Sequence, residues 1–165
     1  MNQIERISTR YVMAEDRLLL IGSTATGEVQ SLWLTQRLLL RLLPVLLQLL
    51  QGEGEDSLRA ELMRSFALQA AAAELRPQAP VLASAGESPW LARTVNIDRS
   101  QQAVSLSFRG APGQRATLRM TPKALRQWLV IIHGAYRKAQ WPPDVWPAWV
   151  SERALSAAPQ ALTLH

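Results

Sequence analysis

The sequence predicts an α+β fold built from two pseudo-symmetric β-β-β-α repeats, at about 6–51 and about 91–138. A helix at about 56–75 and a linker rich in proline, alanine and serine join the repeats. The first observation behind this prediction is an internal similarity. A gap-free shift of 86 residues aligns Arg17–Leu43 with Ala103–Leu129, and seven of the 27 aligned positions are identical. The second is that both segments alternate apolar and polar residues and then change to helical spacing.

Each repeat is expected to contain three strands followed by a helix. The predicted strands are 6–13, 18–23 and 28–34 in the first repeat and 91–97, 103–109 and 114–120 in the second. Gly27 and Gly113 lie at the same late position of the loop between the second and third strands, where a hairpin turn uses the freedom of glycine at positive φ. Thr35 and Thr121 then occupy the N-cap positions of the two helices, because a threonine hydroxyl accepts a hydrogen bond from the first helical turn.

The predicted helices differ in their hydrophobic pattern. Residues 36–51 are apolar on nearly every side, so we expect this helix to be buried and to bend at Pro44. The helix that begins at Pro122 is amphipathic, with Trp128 in the core and His133 toward its polar side. The joining helix carries an apolar face of its own, formed by Leu58, Met63 or Leu62, Phe66 and Ala70.

Alternation along the strands assigns an inner and an outer face to each repeat. The inner residues are apolar in both repeats, and the helix of each repeat is expected to cover them: Leu18, Leu20, Leu32 and Leu34 in the first, and Val104, Leu106, Phe108, Leu118 and Met120 in the second. The outer faces differ in their chemistry, which makes them the places to look for binding.

The outer face of the first repeat is apolar and consists of Leu19, Ile21, Val29 and Trp33. An apolar patch of this kind needs a cover. Either the rest of the chain or a second copy supplies it, and a homodimer is the simplest arrangement of two copies. The outer face of the second repeat is polar and cationic, which suits an anionic ligand. It consists of Arg109, Arg115, Arg119, Ser105, Ser107 and Thr117.

Charge is distributed unevenly along the chain. Residues 1–86 carry eight basic and nine acidic side chains, a net charge of −1, whereas residues 87–165 carry ten basic and four acidic side chains, a net charge of +6. The positive excess therefore lies in the half that contains the cationic outer face. This asymmetry favours a partner that is itself acidic.

The residue inventory argues against an enzyme. The chain has no cysteine and only two histidines, His133 and His165, which excludes thiolate chemistry and leaves too few imidazoles for a histidine metal cluster. The sequence also lacks the motifs of serine hydrolases, zinc proteases and nucleotide-binding loops. We therefore expect no catalytic residue, no cofactor and no metal. With no cysteine and no export signal, we expect a cytoplasmic location.

We expect residues 1–150 to form a single domain, with a linker at 76–90 and a flexible tail at 151–165. The most apolar stretch, Leu38–Leu50, is interrupted by Arg41 and is shorter than the ~20 apolar residues of a membrane span. The sequence therefore predicts no membrane-spanning helix.

Three tryptophans near the C-terminus, Trp141, Trp146 and Trp149, lie among prolines that prevent regular structure. Two interpretations are open. The indole rings either hold the segment against an apolar surface of the same chain, or they dock a partner or stack on nucleobases.

Tandem strand-rich repeats that each end in a helix resemble the Whirly and PC4-like single-stranded-DNA-binding architecture. The resemblance covers residues 6–140 in topology, without a sequence motif, and that architecture has four strands per repeat where three are predicted here. It implies a nucleic-acid-binding protein that uses Arg109, Arg115 and Arg119. The residues themselves predict a non-enzymatic binding or adaptor protein that self-associates through the first repeat and binds an acidic partner through the second.

Overall fold

The computed structural model of the chain describes residues 3–51, 58–76, 78–150 and 161–164. Within these residues one mixed sheet contains the strands β1 (Gln3–Val12), β2 (Arg17–Thr24), β3 (Val29–Leu34), β4 (Trp90–Leu91), β5 (Thr94–Arg99), β6 (Val104–Arg109) and β7 (Arg115–Met120). The helices are α1 (Gln36–Gln51), α2 (Leu58–Ala73) and α3 (Pro122–Ala139). The sheet has the order β4-β3-β2-β1-β7-β6-β5, and a short strand β8 (Ala161–Thr163) pairs with β1 beside this path.

The sheet is curled, and the segment 90–99 joins its two ends. At one end β4 runs parallel to β3, and at the other end β5 runs antiparallel to β6. Two residues separate β4 from β5. The Ala92 N–H donates to the Trp33 carbonyl (3.1 Å), and the Arg93 N–H donates to the Arg109 carbonyl (2.8 Å). The segment 90–99 therefore hydrogen-bonds to both edges of the sheet.

Strand β1 lies at the centre of the sheet and connects its two halves. Its first residues, Gln3 and Ile4, pair in parallel with Thr117 and Leu118 of β7. From Ile4 to Val12 the strand also pairs antiparallel with β2, with an irregularity between Ile4 and Arg6. Parallel strands are not joined by a short turn, so the sequence next to β1 does not indicate that β7 is its neighbour.

Threonine caps fix the starts of α1 and α3. The Thr35 hydroxyl accepts a hydrogen bond from the Leu38 N–H (3.1 Å), and the Thr121 hydroxyl accepts one from the Ala124 N–H (3.2 Å). Pro122 follows in the first turn of α3, where its missing N–H leaves no intrahelical bond unmade. Both helices begin at the residues that the sequence predicts.

The inner face of the sheet forms one hydrophobic core with α1 and α3. All the inner residues predicted from the sequence are buried in this core: Leu18, Leu20, Leu32, Leu34, Val104, Leu106, Phe108, Leu118 and Met120. Trp128 of α3 is fully buried, and its indole N–H donates to the Thr9 hydroxyl of β1 (3.1 Å). The predicted inner faces are therefore confirmed, and the outer face of the sheet is left for other contacts.

Helix α2 packs against α3. The side-chain amide of Gln127 in α3 donates to the Ala71 carbonyl of α2 (3.0 Å), and both residues are buried. The apolar face predicted for α2 itself points away from this contact and is exposed.

The predicted α+β class is confirmed, as a curled mixed sheet with three helices among the described residues. The strand predicted at 91–97 is instead divided into β4 and β5, because the chain passes from one sheet edge to the other between them. Of the predicted flexible tail, residues 151–160 lie outside the described residues, whereas Ala161–Thr163 form β8. No helix in the described part of the chain has the length and apolar character needed to cross a bilayer.

Candidate anion-binding face

The hairpin of β6 and β7 carries the arginines that the sequence singles out. In its antiparallel register Arg109 lies opposite Arg115, and Ser105 lies opposite Arg119. Arg115 and Arg119 are four residues apart on one strand, so they lie on the same side of the sheet about 13 Å apart. The structure therefore brings three guanidinium groups onto one face. We call Arg109, Arg115 and Arg119 the cationic face.

The cationic face is open to solvent. All three arginines are exposed, and none of their side chains forms an ion pair or a hydrogen bond with a described residue. Asp98 of β5 points to the same side of the sheet, but it lies opposite Ser105 and is therefore two strands away from Arg119. The positive charge of this face has no acidic side chain in contact with it among the described residues.

Hydroxyl groups lie between the arginines. Ser107 and Thr117 lie opposite each other in the hairpin, and their hydroxyl oxygens are 3.4 Å apart, with either atom able to donate. Ser107 is buried, whereas Thr117 and Ser105 are half-buried. Small polar side chains thus form a floor between longer, exposed guanidinium groups, and the Ser105 hydroxyl is available to an anion that the arginines hold.

A cavity of ≈ 200 Å³ opens beside Arg115. Its walls come from β3, from the loop before β4 and from the β6–β7 turn: Gln30, Ser31, Glu87, Ser88, Trp90, Gly113, Gln114 and Arg115. Amides and hydroxyls dominate this lining, with one indole wall and one carboxylate. Sequence reasoning misses this cavity because its three segments meet only when the sheet curls.

The apolar outer face of the first repeat is covered largely from within the chain. Leu19 and Ile21 are buried against Val81 of the linker, with Val29 and Trp33 half-buried at the edge of the same cluster. The sequence leaves open whether the rest of the chain or a second copy covers this face. For Leu19 and Ile21 it is the linker of the same chain. Self-association through these four residues stays a prediction, with less free apolar surface to drive it.

The tryptophan-rich segment lies on the core. Trp141 and Trp149 are buried, and Trp146 is half-buried against the same cluster. Tyr136 of α3 stands edge-to-face with two of these rings, with ring centroids 5.0 Å from Trp141 and 5.4 Å from Trp146. Docking of a partner by these three tryptophans would first require the segment to leave the core.

Asp16 anchors this segment to the β1–β2 turn. Its Oδ1 atom accepts hydrogen bonds from the Tyr11 hydroxyl (2.7 Å) and from the Trp141 indole N–H (3.0 Å). These two bonds, that of Tyr11 foremost, lower the pKa of Asp16. The hydrogen bond to Asp16 is also the main reason why the pKa of Tyr11 is raised. The aspartate of a turn therefore has a structural task that its position in the sequence does not indicate.

His133 is buried, contrary to the sequence prediction that places it toward the polar side of α3. Its ring stands edge-to-face with Trp146, with centroids 5.0 Å apart. The Tyr136 hydroxyl and the Trp146 indole N–H are also buried, without a hydrogen-bond partner in the described part of the chain. Burial raises the pKa of Tyr136 to about 12. The prediction fails because this side of α3 is covered by the segment that follows the helix.

Comparison of the chain with protein-family models, with curated proteins and with solved structures finds no significant match. The resemblance to the Whirly-type architecture therefore rests on the order of strands and helices alone. Within residues 3–51, 58–76, 78–150 and 161–164, no group of three or more histidine, aspartate or glutamate side chains is placed to hold a metal ion.

Proposed function

We propose that this protein is a non-enzymatic binding or adaptor protein whose cationic face takes an acidic partner. The observation that carries the proposal is that Arg109, Arg115 and Arg119 share one side of a hairpin, exposed and unpaired among the described residues. The hairpin backbone is already ordered by strand pairing and by its buried inner side, so anion binding does not require a further loss of backbone conformational entropy. Guanidinium groups also match carboxylates in a bidentate geometry.

The spacing of the cationic face fits an extended acidic segment of another protein. Side chains on one side of an extended chain recur every ~6.8 Å, so the distance of about 13 Å between Arg115 and Arg119 matches residues four apart in such a segment. Arg109 lies across the hairpin from Arg115, with Cα atoms about 5 Å apart, so two guanidinium groups can share one carboxylate. The preferred partner therefore carries acidic residues at positions i and i+4.

Single-stranded nucleic acid is the second candidate partner, and the cavity beside Arg115 favours it. A cavity of ≈ 200 Å³ with one indole wall from Trp90 and amide groups from Gln30 and Gln114 offers a stacking surface and hydrogen bonds to a nucleobase. Arg115 lines the same cavity, where it would hold a phosphate. This candidate needs the cavity as well as the arginines, which separates it experimentally from an acidic peptide.

The test compares two triple variants with equal charge. Replacement of Arg109, Arg115 and Arg119 by glutamine removes the cationic face. The matched control replaces Arg37, Arg41 and Arg76, which are exposed elsewhere, and lowers the net charge by the same amount. Fluorescence anisotropy would measure binding of a poly-glutamate peptide and of a single-stranded oligonucleotide at several salt concentrations.

We expect the cationic-face variant to lose at least tenfold in affinity and to show a flatter dependence on salt, because fewer anionic groups are contacted. The control variant should retain most of the wild-type affinity. Equal losses in both variants would mean that net charge alone attracts the anions, and this would refute the proposed face. Stronger binding of the oligonucleotide than of the peptide, lost on replacement of Trp90 by alanine, would favour the nucleic-acid candidate.

We also propose that the two halves of the chain are pseudo-symmetric β-β-β-α repeats. Two observations support this organisation. All six residue pairs between β2 and β3 become the six pairs between β6 and β7 when 86 is added to each number. The same shift relates the parallel pair Ile4–Leu118 to the parallel pair Trp90–Leu32. A repeat explains why a chain with no local signal for parallel pairing makes it twice, in equivalent registers.

A further inference from the structure

Helix α2 turns a continuous apolar face to solvent. Leu58, Leu62, Met63 and Phe66 are 74%, 50%, 62% and 58% exposed, and at 100° per residue they lie within one half of the helix circumference. The opposite half, with Leu68 and Ala71, is the one that packs on the protein. A single exposed leucine needs no explanation, but four large apolar side chains on two successive turns do.

The size of this face is that of an interaction site. At roughly 200 Å² for a fully exposed large side chain, the four residues together leave on the order of 500 Å² accessible, close to the largest patch found on typical monomers. A standard interface buries about 800 Å² on each partner. The four residues alone would supply more than half of this area, and their helical neighbours would supply much of the rest.

The face is complementary to itself when two helices run antiparallel. Its large residues lie in the first half of α2, whereas the second half exposes the small side chains of Ala70 and Ala73. An antiparallel pair with its twofold axis at Phe66 places Leu62 of one copy opposite Ala70 of the other. Leu62 then packs on a small side chain, as close packing requires, and Phe66 meets Phe66 of the other copy at the axis. A parallel pair would instead crowd the large halves and leave the small halves apart.

Charge favours the same arrangement. Arg59 is exposed at the start of α2, and antiparallel packing brings it to the last turn of the partner helix. There it meets the negative end of the helix dipole and Glu74, which already pairs with Lys123 of its own chain. In a parallel pair the two Arg59 side chains would instead approach each other.

We infer that this protein forms a homodimer through α2, with the two helices packed antiparallel about an axis at Phe66. The dimer does not require anion binding, and its interface lies on α2 instead of on the outer sheet face, where the sequence predicts self-association. Because α2 packs on α3 and α3 covers the inner side of the sheet, both cationic faces of the dimer stay free. Two free faces bind a long anionic polymer more tightly than one does, by avidity.

Sedimentation equilibrium of the full chain between about 1 μM and about 100 μM tests the interface. We expect the wild-type chain to be a dimer that dissociates on dilution, and Phe66→Glu to be a monomer at every concentration. Two variants accompany it. Leu82→Glu changes a leucine outside α2 that is more exposed than Phe66, at 77% against 58%, and Trp33→Glu tests the outer sheet face. Both should remain dimeric.

Two results would overturn the inference: a monomeric wild-type chain, or a Phe66→Glu variant that stays dimeric. If Trp33→Glu dissociates the dimer in the second case, the interface is the outer sheet face. Circular dichroism checks that each variant keeps the helix and strand content of the wild-type chain, and the exposed position of Phe66 in the single chain predicts that Phe66→Glu folds. Failure of anion binding would leave these results unaffected, because none of the substituted residues belongs to the cationic face. Conversely, a monomeric chain that still binds poly-glutamate would refute the dimer and leave the proposed function intact.

Cross-linking provides a second measurement that needs smaller changes. The chain contains no cysteine, so a single introduced cysteine reports its own neighbours. We expect Phe66→Cys to form a disulfide-linked dimer under mild oxidation, and a mixture of Leu62→Cys and Ala70→Cys chains to form a mixed dimer, because facing Cα atoms lie within disulfide range. Leu82→Cys should remain monomeric on denaturing gels. Efficient cross-linking of two Leu58→Cys chains would refute the antiparallel arrangement, because only a parallel pair places the two Leu58 positions opposite each other.

Discussion

Replacement of glycine by alanine tests the backbone conformation, because it should destabilise the protein at two hairpin turns and stabilise it inside a helix. Gly27 and Gly113 both adopt φ +87°, and a Cβ added at either would meet no atom within 4 Å. Gly134 lies inside α3 with ordinary helical φ, and a Cβ added there also meets nothing within 4 Å. Alanine at any of the three therefore changes backbone energetics without creating a clash.

The magnitudes follow from the two conformations. An L-residue in the left-handed region costs about 1–2 kcal/mol, and the lower entropy of the unfolded chain returns about 0.4–1 kcal/mol. Gly27→Ala and Gly113→Ala should each lower the free energy of unfolding by about 1 kcal/mol. Gly134→Ala should raise it by up to about 1 kcal/mol, since alanine is the better helix former. For a chain of this size each change shifts the melting temperature by about 2–4 °C.

Urea and thermal unfolding, followed by far-UV circular dichroism, would measure these differences. Loss of stability in Gly134→Ala, or no loss in both hairpin variants, would contradict the backbone conformations described here. The two hairpin variants also test the proposed repeats, because equivalent turns should respond equally. A difference of more than about 1 kcal/mol between Gly27→Ala and Gly113→Ala would show that the turns are not equivalent.

Two further predictions concern polar groups that hold the fold together. Because the pKa of Asp16 is lowered in the folded state, its contribution is present above the ordinary aspartate pKa of about 4 and is lost as the pH falls through the lower folded value. Asparagine is tolerated at the φ of +49° that Asp16 adopts. Asp16→Asn should therefore reduce the difference in unfolding free energy between neutral and acidic pH. An unchanged pH profile would count against the carboxylate as the anchor of Trp141. Trp128→Phe removes the buried hydrogen bond to Thr9 and should cost about 1–3 kcal/mol in urea unfolding, whereas a loss below about 0.5 kcal/mol would mean that this bond contributes little.

Much of the candidate site follows from local sequence. Alternation along 104–109 and 115–120 places Arg109, Arg115 and Arg119 on one face, because side chains in a strand alternate with period two and the hairpin fixes the register of its own strands. The cavity beside Arg115 has no such signal. Its walls come from three segments, and their approach depends on how the sheet curls.

The local elements follow from short-range patterns in the sequence. Helix α1 spans Gln36–Gln51 as its pattern predicts, the threonine caps start both α1 and α3, and the apolar inner residues reach the core. These features depend on neighbours within a few positions, where hydrogen bonding and periodicity act on the chain directly.

Which surfaces pack against each other depends on the three-dimensional fold. It pairs β1 with β7, lays Val81 over the apolar outer face of the first repeat, and buries His133 under the segment after α3. It also turns the apolar side of α2 outward, although a helical pattern marks that side as the one to bury. Periodicity identifies an apolar face that is favourable to bury. It does not identify the segment that packs on this face, because that choice depends on the apolar area that each possible contact buries, within the chain or with another chain.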